Sequence, residues 1–519
     1  MVASIFMNQP FLRGGSGSSS APIPANYEMI GFGDSRTENG FAISNTTSGL
    51  SQITSTISHM VWLEILSGLK LRISTSPNFA ISASNTYQGS ALPRQNSSGV
   101  VTTGDYWRSN HAVNFSGNKG AEYFETHPAG IGVFLYGTND TAVSDPQYLT
   151  TSRTNVTTML DRAPSKVWII LNELPKGIQD NGTVGTGSVS ANFKSFSDWL
   201  LTLDYASGHA NARANCIVVD TFAALVDPAT GTNYSNLRGT SWDGLHYAPG
   251  GAKLAAQTVI NRLSAIWPSW GTLPVLATFP TTNGLISLGA AQPFIMSNPI
   301  FTPGTNGTVS GTWGSAPSAA NVPQGWVVTV LSNGSGITCV ADKTETDDEG
   351  YPVLKLTLSG TLGANLSSQV QVYQLLGGAS LTSAWTNNWL TISDKLRGVG
   401  KCKVDAGAQY LSGVGLALIM QSPTVNKYQT SAAARGPTVI NATAPAFIDA
   451  YADSAWRPYQ TQLMDFQDPG KVALGQNITA QSDISQIQLR WEIDFRNLTA
   501  STQNISAVIR FSRSGAIRV

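Results

Sequence analysis

A chain of 519 residues is too long for one ordinary hydrophobic core and predicts two domains or three. Charged residues make up only 12% and balance to a formal net charge of zero, which argues against nucleic acid or an anionic membrane surface as partners. Polarity comes instead from Ser, Thr, Asn and Gly, the composition of exposed β-structure and adaptable hydrogen-bonding surfaces, while Cys216, Cys339 and Cys402 are too scattered for a disulfide framework or zinc site and are expected to be buried and inert.

Residues 14–20 are a Gly/Ser linker, so residues 1–26 read as an N-terminal arm. The first residues lack a basic segment, and Asn8, Gln9 and Pro10 break their apolar run, so no signal peptide is expected; no stretch approaches transmembrane length. From 27 to 272, short apolar runs at 28–32, 71–75, 132–136, 167–171 and 217–219 alternate with helical patterns, the signature of a parallel sheet covered by helices. Helical stripes are expected through Ile53, Ile57, Met60, Val61 and Ile65, through Phe193, Phe196, Leu200 and Leu203, and through Leu254, Val259, Leu263 and Ile266. Residues 273–295 read as a linker. From 296 to 519 the helical period disappears and short alternating segments such as 326–330, 353–358, 486–493 and 505–511 predict an all-β sandwich, jelly-roll-like.

Ligands of an open α/β sheet bind beyond the carboxyl ends of its strands, so polar residues at those positions carry the functional reading. Gly33-Asp34-Ser35 follows the first strand, Gly137-Thr138-Asn139-Asp140 the third, and Asp243-Gly244-Leu245-His246 precedes the last helix. Each alone is an ordinary turn or helix cap. Together they supply the parts for acyl transfer: a Ser35 hydroxyl as nucleophile, His246 as its base, Asp243 to orient the imidazole, and the Asn139 amide with the Ser35 N–H as oxyanion donors. His59 reads as a partly buried packing residue, and no histidine has a metal-ligand pattern, so neither metal nor cofactor is expected. The run Asp347-Asp348-Glu349 is too short to argue for calcium.

These three motifs, in this order, resemble the blocks of the SGNH hydrolases, the GDSL esterase/lipase superfamily, over about residues 27–270. The resemblance implies a three-layer α/β sandwich with a parallel sheet and a serine esterase. The family's second block departs: residues 78–86 resemble it but place Ala83 where the oxyanion glycine is expected, with Gly89 or Gly104 as the fallback. An insertion at about 84–129 carries Tyr106 and Trp107 among other aromatic and polar residues suited to sugar rings, or simply anchoring a long loop. Arg36 and Trp242 complete the candidate substrate contacts, Arg36 with a structural ion pair as the alternative.

Residues 298–304 with Trp313 and Trp326 resemble the opening of carbohydrate-binding β-sandwich modules, with Trp326 read as core and Trp385 and Trp389 as sugar platforms. An esterase joined to such a module is similar to phage tailspike and tail-associated depolymerases. That resemblance implies an O-deacetylase of capsule or O-antigen, made in the host cytoplasm and carried on a virion tail with other tail proteins, and a homo-oligomer, trimeric in many tailspikes. The alternatives are a secreted bacterial acetylesterase, a non-catalytic glycan-binding virion protein on the same scaffold, and a lipase for long acyl chains.

Overall fold

The structure, a computed structural model, describes residues 20–38, 41–46, 49–74, 79–80, 94–95, 101–102, 124–137, 148–174, 191–226, 245–275, 277–284, 294–332, 336–421, 428–432, 450–465, 480–497 and 499–519. Its first half is built on a parallel sheet of β1 (Glu28–Gly33), β4 (Arg72–Ile73), β5 (Phe79–Ala80), β8 (Ile131–Leu135), β9 (Val167–Leu171) and β10 (Cys216–Val219). Their order is β10-β9-β8-β1-β4, with β5 also pairing with β1. The helices are α1 (Ser35–Glu38), α2 (His59–Leu66), α3 (Tyr148–Asp161), α4 (Ala191–Leu201), α5 (Thr221–Leu225) and α6 (Pro249–Ile266).

Strand period alone explains the layering. Along β8, Ile131, Val133 and Leu135 join Met29, Ile169 and Ile217 against Met60, Val259 and Leu263 of α2 and α6. Phe134, with Ile30, Phe32, Trp168 and Ile170, faces Val156 and Leu160 of α3 and Phe196 and Leu200 of α4. The result is a three-layer α/β sandwich.

The second half is antiparallel apart from the parallel pair at the start of its first sheet. One sheet runs β11 (Thr308–Gly311), β12 (Trp326–Ser332), β15 (Ser367–Gly377), β21 (Gln486–Arg496), β17 (Leu411–Gln421), β18 (Tyr428–Ala432). The other runs β13 (Thr338–Asp342), β14 (Leu354–Leu362), β22 (Gln503–Arg518), β16 (Lys395–Val404), β19 (Arg457–Gln460), with β20 (Met464–Asp465) also on β16. Val372, Trp491, Ile493 and Leu416 from the first sheet and Leu356, Ile509, Phe511 and Val404 from the second share one core, and the Trp491 and Phe511 rings lie 5.0 Å apart across it. The short pair β6 (Arg94–Gln95) and β7 (Val101–Thr102) stands apart from these sheets.

The hairpin after α1 departs from the expected helix. Residues Phe41–Thr46 (β2) and Gly49–Thr54 (β3) pair antiparallel, and β3 lies parallel to β18, with Gln52 opposite Thr430. This hairpin from the first half therefore completes the eight-stranded sheet of the second. Ile53, placed on a helical stripe by its spacing, is in β3, because its backbone partners come from a strand nearly four hundred residues away. The helix begins only at His59, where the Ser58 hydroxyl accepts the Met60 N–H at 3.1 Å.

Helix α2 is buried on every side from His59 to Ile65, because the parallel sheet, α6 and the sandwich all pack against it. Trp62 lies 5.9 Å from Tyr451, and Glu64 accepts from Gln460 Nε2 at 2.7 Å and from the Ile73 N–H at 3.2 Å. Burial pushes the Glu64 carboxyl up to about 7, against the opposing pull of those bonds and of Arg397 and Arg72.

A carboxyl whose folded value is raised contributes its stability below the unfolded value of about 4.5 and loses it as pH rises through about 7. Glu64→Gln is therefore expected to be more stable than wild type by roughly 3 kcal/mol at pH 8 and to lose that advantage near pH 4.5, as paired denaturant melts at the two pH values would show.

Candidate active site

The chain leaves β1 toward β4 on one side and returns to β8 on the other, so the strand order reverses between β1 and β8. A crevice opens at the carboxyl ends of strands at such a reversal. Gly33 there pairs with Leu135. Beyond β1 come Asp34 and then Ser35, which opens α1; beyond β8 come Tyr136 and Gly137.

Arg36 fills the space beneath this end of the sheet. Its Nε and Nη2 donate to Asp34 Oδ1 and Oδ2 at 2.9 and 2.6 Å, its Nη2 also to Glu173 Oε1 at 3.1 Å, and its Nη1 to Glu173 Oε2. All three side chains have no exposed surface. Burial opposes the guanidinium charge, but the Asp34 and Glu173 carboxylates outweigh it and hold Arg36 firmly protonated. Asp34 Oδ1 additionally accepts the Arg36 N–H at 3.0 Å, and the Thr37 N–H reaches Asp34 O at 3.0 Å, so the turn carrying Ser35 is closed at both ends.

Glu173 stands just past β9, where Asn172 braces the neighbouring strand. Asn172 Nδ2 donates to Asp220 Oδ1 at 2.9 Å, and its Oδ1 accepts the Phe222 N–H at 3.0 Å. The Glu173 carboxylate also presses on Gly137, whose φ is +132°. A Cβ there would collide with Glu173 Oε1 and come within 2.6 Å of Phe196, so only glycine suits the position.

The last turn reaches the same place. His246 is half-buried, and Tyr247 beside it is 1% exposed, its ring edge-on to His59 at 5.7 Å. Burial, then the positive charge of Arg36, lowers His59 to about 3 and keeps it neutral. Burial also pushes the Tyr247 phenol far up, with Arg36, Asp34 and Glu173 all within electrostatic range. Neither ring nitrogen of His59, nor the Tyr247 hydroxyl, nor Thr37 Oγ1 has a hydrogen-bond partner among the described residues.

The neighbours of Ser35 and of His246 thus converge on one buried cluster. Ala83, Tyr106, Trp107, Asn139, Trp242 and Asp243 lie outside the described residues, as does the side chain of Ser35. Arg36 is a correction: named as a substrate contact, it is 1% exposed and committed to Asp34 and Glu173, so the ion-pair alternative is the one realised. His59 is fully rather than partly buried. Trp385 is 8% exposed and packs into the core, which removes it as a sugar platform, and Trp389 packs partly buried beside it. Trp326 is core, as its strand alternation indicated, stacked 4.3 Å from Phe301 with Nε1 donating to Asn298 O. The three cysteines are free and buried. Asp347 braces a turn, accepting the Glu349 and Tyr351 N–H groups at 2.9 Å each and the Ser512 hydroxyl at 2.6 Å.

Glu173 was not singled out by sequence. Its signal was available: a charged residue two positions after the wholly apolar run 167–171, at the end of the sheet where the other motifs cluster.

No family model matches the chain, and no curated protein matches it. Among solved structures it is similar to a lipolytic protein of the G-D-S-L family from Desulfitobacterium hafniense DCB-2, at 18% identity over 46% of this chain and 100% of that one, with a TM-score of 0.29. It is similar to the lipase/acylhydrolase from Enterococcus faecalis at 17% identity over 48% of this chain and 99% of that one, TM-score 0.29. It is also similar to carbohydrate-binding modules from the beta-sandwich super family, at 10% identity over 37% of this chain and 57% of that one, TM-score 0.22. The fold itself is defined by the strand order and registers above.

Removing the cation from this cluster leaves two buried carboxylates face to face. Arg36→Met is expected to destabilise the protein by about 3–5 kcal/mol, read as a lowered urea midpoint with an unchanged slope.

Proposed function

We propose that the protein is a serine esterase in which Ser35 attacks an ester carbonyl, His246 takes its proton and returns it to the leaving alcohol, and Asp243 holds the imidazole in the required tautomer. The observation that carries this reading is the meeting of the Gly33-Asp34-Ser35 turn and the His246-Tyr247 turn on one buried cluster at the strand-order reversal. The N–H groups of Ser35 and Ala83 and the Asn139 amide are the oxyanion donors in this scheme, each worth roughly 10²–10³ in rate.

The substrate proposed is an O-acetylated polysaccharide of a bacterial surface, with Tyr106, Trp107 and Trp242 as sugar contacts. A composition rich in Ser, Thr, Asn and Gly and the absence of net charge favour a neutral, hydroxyl-rich ligand. The β-sandwich beside the α/β layers supports a glycan-handling role, and a place on a virion tail, with oligomerisation there, is the setting that joins the two. A secreted acetylesterase is the same chemistry in another setting.

Acetate release from p-nitrophenyl acetate and from a panel of acetylated bacterial polysaccharides tests the reading. Wild type is expected to release acetate and Ser35→Ala to fall by at least about 10³-fold, with short acyl esters preferred to long ones. A folded wild type that releases nothing from any substrate would leave a glycan-binding scaffold instead.

A further inference from the structure

The Glu173 carboxylate touches pieces of three different strand ends. It receives two guanidinium N–H groups of Arg36, the residue after Ser35. It abuts Gly137, two residues before Asn139, so closely that no side chain fits there. Its Oε2 also accepts its own neighbour's N–H, from Leu174 at 3.2 Å, which turns the carboxylate back over the end of β9. None of the three contacts is with solvent, and the cluster holds one guanidinium against two carboxylates.

Charge balance does not require Glu173, since Asp34 alone neutralises Arg36 through two hydrogen bonds. The side-chain bonds of Asp34 to Arg36 stay within their own turn. The carboxylate from β9 spans the reversal, bonding Arg36 beyond β1 and abutting Gly137 beyond β8.

We infer that Glu173 is a positioning residue for the proposed reaction, setting through Arg36 the turn that presents Ser35 and through Gly137 the turn that leads to Asn139. The inference rests on the esterase reading. A nucleophile and an oxyanion donor on separate strands must keep one spacing while the carbonyl between them becomes tetrahedral, and an error of about 1 Å in such a spacing costs on the order of 10²-fold in rate. Glu173 touches no substrate, so its loss falls on turnover and not on binding.

The test compares wild type with Glu173→Gln, which keeps the shape and leaves the Asp34–Arg36 pair balanced, and with Glu64→Gln, which removes a buried carboxylate bonded to Gln460 and the Ile73 N–H instead of to Arg36. Each protein is checked for folding by circular dichroism and assayed with p-nitrophenyl acetate, and the rate at which an organophosphate labels Ser35 is measured. Glu173→Gln is expected to lose about 10²-fold in kcat, with KM within about threefold and labelling slowed in parallel, while Glu64→Gln turns over as wild type does. Turnover by folded Glu173→Gln within about threefold of wild type, or a loss confined to KM, would overturn the inference. Should Glu173→Gln not fold, Glu173→Asp replaces it: the charge remains but the reach is one methylene shorter, and the same split between kcat and KM decides. An active wild type with an unaffected Glu173 variant sinks this inference alone, whereas a wild type without Ser35-dependent turnover takes it down with the esterase reading.

Discussion

A guanidinium sealed from water between two carboxylates is the constraint on which the carboxyl end of the parallel sheet depends. Desolvating three charges costs of order several kcal/mol per ion, so the Asp34–Arg36–Glu173 cluster persists only because each donor and acceptor is matched in direction as well as sign. That requirement is severe in geometry. It admits one placement of the turn after β1 relative to β8 and β9, it explains why Gly137 has room for no side chain, and the Arg36 charge adds to the burial that keeps the neighbouring His59 neutral. An apolar plug of the same volume would fill the space without dictating the angle at which the turns meet.

The two halves of the chain are joined more deeply than a linker would join them. The β2–β3 hairpin leaves the α/β layers directly after α1 and adds two strands to the sandwich. Helix α2 then carries Trp62 and Glu64 into contact with the sandwich, where Arg457 lies over the Trp62 and Tyr451 rings and pairs with Asp453, which also meets Lys253 of α6 at 2.9 Å. Apolar burial is continuous across this seam, so it contributes to stability as a domain core does and not as a wet, transient interface. The sandwich is in this sense part of the support for the helices behind the strand ends, whatever else its surface does.

This coupling also locates the titratable weakness of the fold. Glu64 sits where water is excluded by both halves, and its carboxyl ionises only near neutrality. Its bonds at hydrogen-bond distance among the described residues come from the Gln460 amide and the Ile73 N–H, whereas Asp34 and Glu173 share the guanidinium of Arg36 directly.

Much of this was legible in the chain itself. The strands at 167–171, 217–219 and 326–330, the α4 and α6 coverings, and the β-structure of the second half follow from local period and turn residues, which act over a few positions and leave their mark in order. So do the three polar motifs, because strand ends and functional turns must be written with Gly, Asp, Ser, Asn and His. What sequence could not decide depended on residues far apart along the chain: that Ile53 lies in a strand completed by residue 431, that Arg36 faces inward to Glu173 and not outward to a ligand, that Trp385 is packed away. In each case the local residue is compatible with two environments, and the partner that selects one arrives only when the chain folds back on itself.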